Sequence, residues 1–135
     1  MKDCELVLLA KKAAENAYVP YSGYTVGAAL LTKGGKVYLG CNIENAAYGP
    51  TNCAERTAFF KAVSEGEREF EAIAVVGGKA LDFKDYFTPC GVCRQVMAEF
   101  CDKDFRVIIG KNGEDYLSLT LGEILPYTFN SDKLK

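Results

Sequence analysis

Three cysteines stand where the chain is predicted to begin helices. Cys90 and Cys93 form a C-x-x-C pair directly after Pro89, and two thiols with this spacing in a first helical turn can bind one metal ion. Cys53 precedes a second predicted helix. A helix N-terminus favours the thiolate form through its partial positive charge. If the sheet sets both termini side by side, three thiolates converge and leave the fourth position of a tetrahedral zinc open, as in catalytic sites.

The same cysteines permit other interpretations. The C-x-x-C pair could be a redox dithiol or two buried small residues, and a fourth cysteine would convert the metal site into a closed structural one. We expect the three remaining cysteines to pack in the core instead; they are Cys4, Cys41 and Cys101. The chain has no histidine, which removes most Ser-His and Cys-His nucleophilic machinery and leaves thiolates and carboxylates to carry any chemistry.

The carboxylate nearest in sequence to these cysteines is that of Glu55, two residues after Cys53. With Asn52 it also forms the N-x-x-E pattern of a capping box, in which its side chain would bond back to the backbone of Asn52. In an ideal helix Glu55 lies about 200° around from Cys53, which argues against a ligand role. Helical periodicity leaves open whether it caps the helix or reaches the open metal position.

The composition excludes several classes of protein. The 135 residues are 49% apolar and 25% charged, which predicts one globular domain spanning residues 1–135. A net charge of −2 without runs of Lys or Arg disfavours nucleic acids and anionic membranes as partners. No apolar stretch approaches the ~20 residues of a membrane span, and the charged start Met1–Glu5 is unlike a signal peptide. We therefore expect a soluble, cytoplasmic protein without disulfides.

The apolar pattern predicts helices interleaved with strands. The first helix runs from Asp3, as N-cap, to Ala17, before the break at Pro20. Gly34-Gly35 makes a hairpin turn between the first two strands, and Gly77-Gly78 closes the third. The predicted strands are Val26–Thr32, Val37–Cys41, Ala72–Val76, Arg106–Ile109 and Tyr116–Leu119, and the remaining helices are Ala54–Glu65, Gly91–Asp102 and Gly122–Leu125.

This order of elements indicates an α/β fold. Alternating helices and strands imply a central sheet covered by helices on both faces. The opening hairpin is antiparallel, whereas a crossover through a helix favours parallel pairing. We therefore predict a three-layer α/β/α sandwich with a mixed five-stranded sheet. The order of the strands does not follow from the pattern.

Several segments together resemble a known family. Cys53-Ala54-Glu55, followed by Pro89-Cys90-x-x-Cys93, matches the zinc deaminase signature in its all-cysteine form. The chain is similar to the small homotetrameric cytidine deaminases in longer segments that cover most of its length: Val19–Ser22, Val26–Ala28, Cys41–Tyr48, Asn52–Ala58, Thr88–Gln95 and Leu125-Pro126. The resemblance implies a cytidine deaminase-like fold and zinc-dependent hydrolysis of cytidine, and of 2′-deoxycytidine, to uridine and ammonia in pyrimidine salvage.

The resemblance also implies roles for the residues around the cluster. One zinc ion per chain would be held by Cys53, Cys90 and Cys93. Glu55 would carry protons between water, N3 of the pyrimidine and the leaving amine. Arg56 matches an arginine that hydrogen-bonds to the ligand sulfurs and offsets their excess negative charge, and Gln95 would support the sulfurs similarly.

The resemblance also implies that a second group of residues binds the nucleoside. Asn42 and Glu44 match residues that bind the ribose hydroxyls, for which an amide and a carboxylate supply a donor and acceptors. Tyr24 stands where relatives commonly carry Phe and would stack on the base. Tyr48 and Phe129 match residues that reach the site of a neighbouring subunit, so the resemblance implies a homotetramer.

Two other functions fit parts of the pattern. A deaminase of another aminonucleoside would share the zinc site, although the string Asn42–Asn45 is typical of cytidine deaminases. A non-catalytic zinc or redox module would require a fourth ligand or a reversible Cys90–Cys93 disulfide, and it gives no reason for Glu55 and Arg56. A polynucleotide deaminase is disfavoured by the short chain, the net charge and the lack of a basic groove.

Overall fold

The computed structural model describes residues 1–135 and contains five strands and four α-helices. The strands are β1 (Tyr24–Thr32), β2 (Val37–Cys41), β3 (Phe70–Lys79), β4 (Arg106–Gly110) and β5 (Tyr116–Thr120). The helices are α1 (Asp3–Ala14), α2 (Ala54–Ser64), α3 (Gly91–Phe100) and the short α4 (Leu121–Ile124), followed by a 3₁₀ turn at Ser131–Leu134. None of the helices combines the length and the apolar character that crossing a membrane requires.

The strands form one mixed sheet in the order β2-β1-β3-β4-β5. β1 pairs antiparallel with β2 and with β3, and β4 pairs antiparallel with β5. β3 and β4 are parallel, and α3 makes the crossover that a parallel pair needs. The predicted mixed five-stranded sheet is therefore confirmed.

Helices cover both faces of the sheet. Because successive side chains of a strand point to opposite faces, the buried strand residues divide into two clusters. Ala29 and Ile108 pack with α1 on one face, and Leu30 and Ile73 pack with α2 and α3 on the other. This arrangement is the predicted three-layer α/β/α sandwich.

Two glycines let the helices lie unusually close to the sheet. A Cβ at Gly27 would come within 2.0 Å of the carbonyl oxygen of Ala10 in α1. A Cβ at Gly40 would come within 2.4 Å of the carbonyl oxygen of Ala54, the first residue of α2. Since no side chain fits there, glycine at position 40 determines how closely the N-terminal turn of α2 approaches β2.

A cluster of phenylalanines joins α2 to its neighbours. Phe59 of α2 is fully buried, and its ring lies 5.1 Å from that of Phe70, 6.0 Å from that of Phe105 and 6.1 Å from that of Phe100 in α3. Aromatic pairs at these separations stabilise packing beyond the area they bury. The cluster therefore fixes α2 against α3 on one face of the sheet.

The first helix differs from its prediction at both ends. Its N-cap is Lys2 rather than Asp3, and the Asp3 carboxylate accepts a hydrogen bond from Arg106 instead. The helix ends at Ala14 rather than Ala17. The chain then turns to an extended conformation, because the backbone N–H of Tyr18 donates to the carbonyl oxygen of Asn42.

The third strand also differs, since it continues through Gly77-Gly78 to Lys79. Both glycines pair with β1 and serve close approach rather than a turn. A Cβ at Gly77 would lie 2.6 Å from the ring of Phe87, and one at Gly78 would lie 1.9 Å from the carbonyl oxygen of Asp82. The bounds of the other elements match their predictions to within two residues.

Candidate active site

The N-termini of α2 and α3 meet through their cysteines. Cys53 and Cys90 are the N-cap residues of the two helices, and both have extended backbones without a capping side-chain hydrogen bond. Their Sγ atoms lie 3.8 Å apart. Cys93, in the first turn of α3, completes a group whose three sulfurs all lie within 4.8 Å of one another. This group is hereafter the cysteine cluster.

The cysteine cluster fits a zinc ion. Zn–S bonds of about 2.3 Å in a tetrahedral site place sulfurs about 3.8 Å apart, which is the separation of Cys53 and Cys90. The other three cysteines lie outside the group. Cys101 packs against the core as predicted, and burial raises the pKa of its thiol to about 12. Cys4 and Cys41 are half-buried and belong to neither core cluster, so the same prediction is wrong for them. With three thiolate ligands, the fourth zinc position is free for water or substrate.

Arg56 supports the cluster electrostatically. Its Nη2 donates a hydrogen bond to the Sγ of Cys53 at 3.2 Å. A hydrogen bond from Cys93, together with the Arg56 guanidinium, lowers the pKa of the Cys53 thiol to about 5. Three thiolates and one Zn²⁺ carry a net charge of −1, and the guanidinium offsets this excess from outside the ligand set.

Glu55 is buried beside the cluster without a partner. Its side chain is 1% exposed, and neither carboxylate oxygen has a hydrogen bond. Burial, with the negative charge of Cys53, raises the pKa of this carboxyl to about 7. The capping-box alternative is wrong, because the N-cap is Cys53 rather than Asn52. A buried carboxylate without a partner is costly, so Glu55 is a candidate for a chemical role rather than a structural one.

The loop after β2 is fastened to the start of α2. Ile43 and Asn52 exchange two backbone hydrogen bonds, of 3.0 and 2.9 Å. The side-chain amide of Asn52 donates to the Thr57 hydroxyl at 3.1 Å, and that hydroxyl bonds to the carbonyl oxygen of Cys41. The loop is therefore closed onto the helix that carries Cys53. The sequence analysis did not identify Thr57. The only feature of the sequence that could have pointed to it is a hydroxyl in the first turn of the helix.

Asn42 is held by the neighbouring strand. Its Oδ1 accepts from the backbone N–H of Val26 at 3.0 Å, and its Nδ2 donates to the carbonyl oxygen of Tyr24 at 2.8 Å. One N–H of the amide and one lone pair of its oxygen remain available to a ligand. The ring of Tyr24 lies 6.0 Å from that of Phe87, so the two rings form an aromatic pair.

Glu44 is held by the turn before β1. Its Oε1 accepts from the backbone N–H groups of Tyr21 and Ser22, at 3.0 and 3.1 Å, and its Oε2 accepts from the Ser22 hydroxyl. The hydrogen bonds from Ser22 and Tyr21 lower the pKa of this carboxyl. A cavity of about 270 Å³ opens here, with Tyr48 and Thr51 in its wall. The structure thus brings Glu44 and Tyr48 to one cavity.

The C-terminal segment is attached to α3. The side-chain amide of Gln95 donates to the carbonyl oxygen of Phe129 at 2.8 Å, so Gln95 holds this segment rather than a sulfur. Arg94, which the sequence analysis did not single out, donates to the carbonyl oxygens of Pro89 and Ile124 at 2.7 and 2.6 Å. It therefore ties the residue before Cys90 to the end of α4. The only feature of the sequence that could have pointed to Arg94 is its position directly after the C-x-x-C pair.

The chain is similar to zinc-binding deaminases over most of its length. Residues 1–110 match the family model of the cytidine and deoxycytidylate deaminase zinc-binding region. The chain is 52% identical over 130 residues to the cytidine deaminase of Sporosarcina psychrophila, covering 96% of this chain and 93% of that one. It is 54% identical over 129 residues to that of Halalkalibacterium halodurans, covering 96% and 95%.

A solved structure agrees as well. The crystal structure of the cytidine deaminase from Burkholderia pseudomallei superimposes with a TM-score of 0.88 at 47% identity, covering 96% of this chain and 100% of that chain. Its agreement extends over the sheet and helices that carry the cysteine cluster. The chain therefore belongs to the cytidine and deoxycytidylate deaminase family of zinc-binding proteins.

Proposed function

We propose that this protein is a zinc-dependent cytidine deaminase that hydrolyses cytidine, and 2′-deoxycytidine, to the corresponding uridine and ammonia. The observation that carries the proposal is the buried, unpartnered carboxylate of Glu55 beside a cluster of three cysteines. A structural zinc module would require a fourth ligand, and a redox dithiol would have no use for a buried acid. Hydrolytic deamination needs both an open metal position and a proton carrier.

The residues of the cluster would divide the chemistry as follows. Cys53, Cys90 and Cys93 would hold the zinc ion, which when bound would activate the attacking water by lowering its pKa towards neutrality. Glu55 takes one proton from the attacking water and gives it to N3 of the pyrimidine while the oxygen adds to C4. It then moves the proton of the new hydroxyl group at C4 to the amino group. The C–N bond breaks, ammonia leaves and N3 keeps its proton, so the atoms balance.

Glu55 is suited to this task by its surroundings. Neither of its oxygens is engaged by another protein group, so both can exchange protons with substrate atoms. The nearby Arg56 is already directed at the Sγ of Cys53 and does not compete for the carboxylate. Because Glu55 itself is 1% exposed, bulk water has little access to the proton that it carries.

Asn42, Glu44 and Tyr24 would bind the nucleoside. The free donor of Asn42 and the carboxylate of Glu44 match the needs of ribose hydroxyls, and the ring of Tyr24 would stack on the pyrimidine. The carboxylate of Glu44 also repels phosphate groups, which favours a free nucleoside over a nucleotide or a polynucleotide. The net charge of −2 supports the same preference.

We also propose that the enzyme is a homotetramer in which Tyr48 and Phe129 reach a neighbouring subunit's site. Tyr48 is 92% exposed, Phe129 is 59% exposed, and Tyr127 is exposed as well. Large aromatic side chains are enriched in the core of interfaces and are unusual on a solvated surface. Burial of the Tyr48 ring between subunits would also cover the cavity that Tyr48 lines together with Glu44.

Single-domain architecture, cytoplasmic location and a role in pyrimidine salvage complete the proposal. All six cysteines are free, and three of them must stay reduced to bind metal. A reducing compartment provides that condition. The recovery of pyrimidine nucleosides requires the conversion of cytidine to uridine and ammonia.

The decisive experiment is Glu55→Gln, assayed with cytidine by the absorbance loss that accompanies uridine formation. The amide keeps the length of the side chain but cannot carry a proton. We expect kcat to fall by about 10²–10⁴-fold, while zinc content and the thermal midpoint stay near wild type. Glu99→Gln, an exposed change in α3, is the matched control and should leave kcat unchanged.

The other outcomes separate the alternatives. Unchanged turnover in Glu55→Gln would remove the proton-carrier role, and loss of zinc would make Glu55 a metal ligand. If the wild-type protein binds zinc and is inert towards cytidine but deaminates another aminonucleoside, the chemistry stands and the substrate assignment falls. Inertness towards every aminonucleoside would favour the structural module.

A further inference from the structure

The turn before β1 contains a serine to which neither the zinc chemistry nor the nucleoside contacts assign a role. Ser22 lies between the backbone of β1 and the carboxylate of Glu44. Its Oγ accepts from the backbone N–H of Tyr24 at 3.0 Å, and its hydroxyl hydrogen goes to Oε2 of Glu44. A serine hydroxyl has one hydrogen and two lone pairs. The bond from Tyr24 occupies a lone pair and thereby aims the single hydrogen at Glu44.

The hydrogen bonds of Glu44 leave little freedom for its carboxylate. Its two oxygens offer about four acceptor positions in all. Oε1 already accepts two backbone N–H groups, from Tyr21 and Ser22, and Oε2 accepts the hydroxyl of Ser22. One acceptor position therefore remains, on Oε2, and its direction depends on where the Ser22 hydroxyl lies.

We propose that Ser22 is a positioning residue for substrate, whose hydroxyl directs the last acceptor position of Glu44 towards one ribose hydroxyl. The inference rests on the proposed ribose-binding role of Glu44. An exposed glutamate samples many rotamers, and ordering it on binding costs affinity. Ser22 removes that cost in advance, because the carboxylate is already ordered. The lowered pKa of Glu44 fits this arrangement, since a carboxylate that accepts these bonds stays ionised.

A purely structural role for Ser22 is the competing explanation. The bond from the backbone N–H of Tyr24 to Oγ of Ser22 is a local motif that stabilises turns by itself. A turn-stabilising serine would affect every substrate alike and would change the thermal midpoint. A positioning serine would change the response to one ribose hydroxyl. The two roles therefore differ in a substrate-specific measurement.

The test measures kcat and KM of the wild type, Ser22→Ala, Ser22→Thr and Glu44→Gln with cytidine, 2′-deoxycytidine and 3′-deoxycytidine. In the wild type, loss of the hydroxyl that Glu44 binds should lower kcat/KM by about 10- to 100-fold, as for other hydrogen bonds to charged groups. In Ser22→Ala that penalty should shrink to about 3-fold or less. The KM for cytidine should rise by about 10-fold with little change in kcat.

Three controls make this result specific. Ser22→Thr keeps the hydroxyl and should restore the wild-type penalty. Ser64→Ala removes a serine hydroxyl that bonds to the carbonyl oxygen of Lys61 at the end of α2 and should change nothing. Ser22→Ala added to Glu44→Gln should have no further effect on KM, because residues that act through one another are not additive. If Ser22→Ala proves unstable, Ser22→Cys, a weaker donor of similar size, takes its place.

The outcomes that overturn the inference are distinct from those that overturn the proposed function. If Glu44→Gln shrinks the hydroxyl penalty and Ser22→Ala leaves it at the wild-type value, Ser22 only closes the turn. Equal losses with all three nucleosides in Ser22→Ala would lead to the same conclusion. If Glu44→Gln itself leaves the penalty unchanged, Glu44 is not the ribose contact, and both the contact and its positioning are refuted.

Discussion

The cysteine cluster and the exposed aromatics Tyr48, Tyr127 and Phe129 belong to one chain but are held in opposite ways. Cys93 is 1% exposed, like the adjacent Glu55, and both lie on helices packed against the sheet. Tyr48 is 92% exposed and Phe129 is 59% exposed, although the backbone carbonyl oxygen of Phe129 accepts a hydrogen bond from Gln95. Cys93 and Glu55 are thus built into the packed interior, which fixes their geometry, whereas Cys53 is half-buried and Cys90 is exposed at the helix N-termini.

The ribose-binding candidates lie between these extremes. Asn42 and Glu44 are accessible, yet each is tied to the segment around β1 by two or more hydrogen bonds. The means of support thus differ between these three regions of the chain. The residues of the cysteine cluster are carried by helices packed on the sheet, Asn42 and Glu44 are held by hydrogen bonds, and the exposed aromatics would be held by contacts that an assembly would have to supply.

The largest effect is expected when one ligand of the cysteine cluster is removed. Cys93→Ala leaves two sulfurs, too few to hold zinc against competing chelators. We expect zinc to fall from one ion per chain to near zero and cytidine turnover to become undetectable. Metal analysis and the absorbance assay measure the two effects.

Cys4→Ala is the matched control, because it removes a thiol outside the cluster. It should keep both zinc and turnover at wild-type values. Loss of zinc in this control with an intact fold would mean that a fourth cysteine belongs to the site, which would make the site structural.

A second prediction concerns the packing of α2, the helix that positions Cys53 and Glu55, against β2. Gly40→Ala puts a Cβ within 2.4 Å of the carbonyl oxygen of Ala54 and 2.6 Å of the backbone nitrogen of Ala58. Because these are backbone atoms, α2 has to move as a whole. Overpacking of this kind should cost about 1–3 kcal/mol of unfolding free energy. A displacement near 1 Å at Cys53 and Glu55 should lower kcat by up to about 100-fold.

Gly34→Ala is the control for this substitution. Its Cβ would meet only the Thr32 hydroxyl, at 3.8 Å, an ordinary contact in the turn between β1 and β2. Thermal denaturation and the cytidine assay of both variants measure the difference. Equal midpoints would show that α2 does not depend on the close approach at Gly40.

The sequence predicted which residues form the cysteine cluster but not how Glu55 is surrounded. The C-x-x-C spacing of Cys90 and Cys93 is a local feature that metal, redox and packing roles all fit, and the convergence of Cys53 on this pair depends on the fold. Whether Glu55 caps α2 or lies inside the site depends on which face of the helix is buried. Periodicity alone therefore left two possibilities, and the N-cap at Cys53 decides against the capping box.

Long-range contacts account for what else the sequence did not predict. The pattern indicated five strands, but β1 lies between β2 and β3 because of pairings between distant segments. The Gly77-Gly78 pair suggests a turn in isolation and continues a strand once β1 pairs with it. Ser22 and Glu44 are 22 residues apart on two loops, and no periodicity relates such positions.

The smallest effect is expected for a substitution among the exposed aromatics. Phe129→Ala removes a ring that is 59% exposed, so the free energy of unfolding of a single chain should change by less than about 0.5 kcal/mol. If the ring completes a neighbouring subunit's site, KM for cytidine should rise by about 3- to 10-fold, and sedimentation should show weaker assembly. Leu134→Ala, an even more exposed apolar change near the C-terminus, should leave KM and assembly unchanged. An active wild-type monomer at micromolar concentration, with equal KM in both variants, would mean that each chain completes its own site.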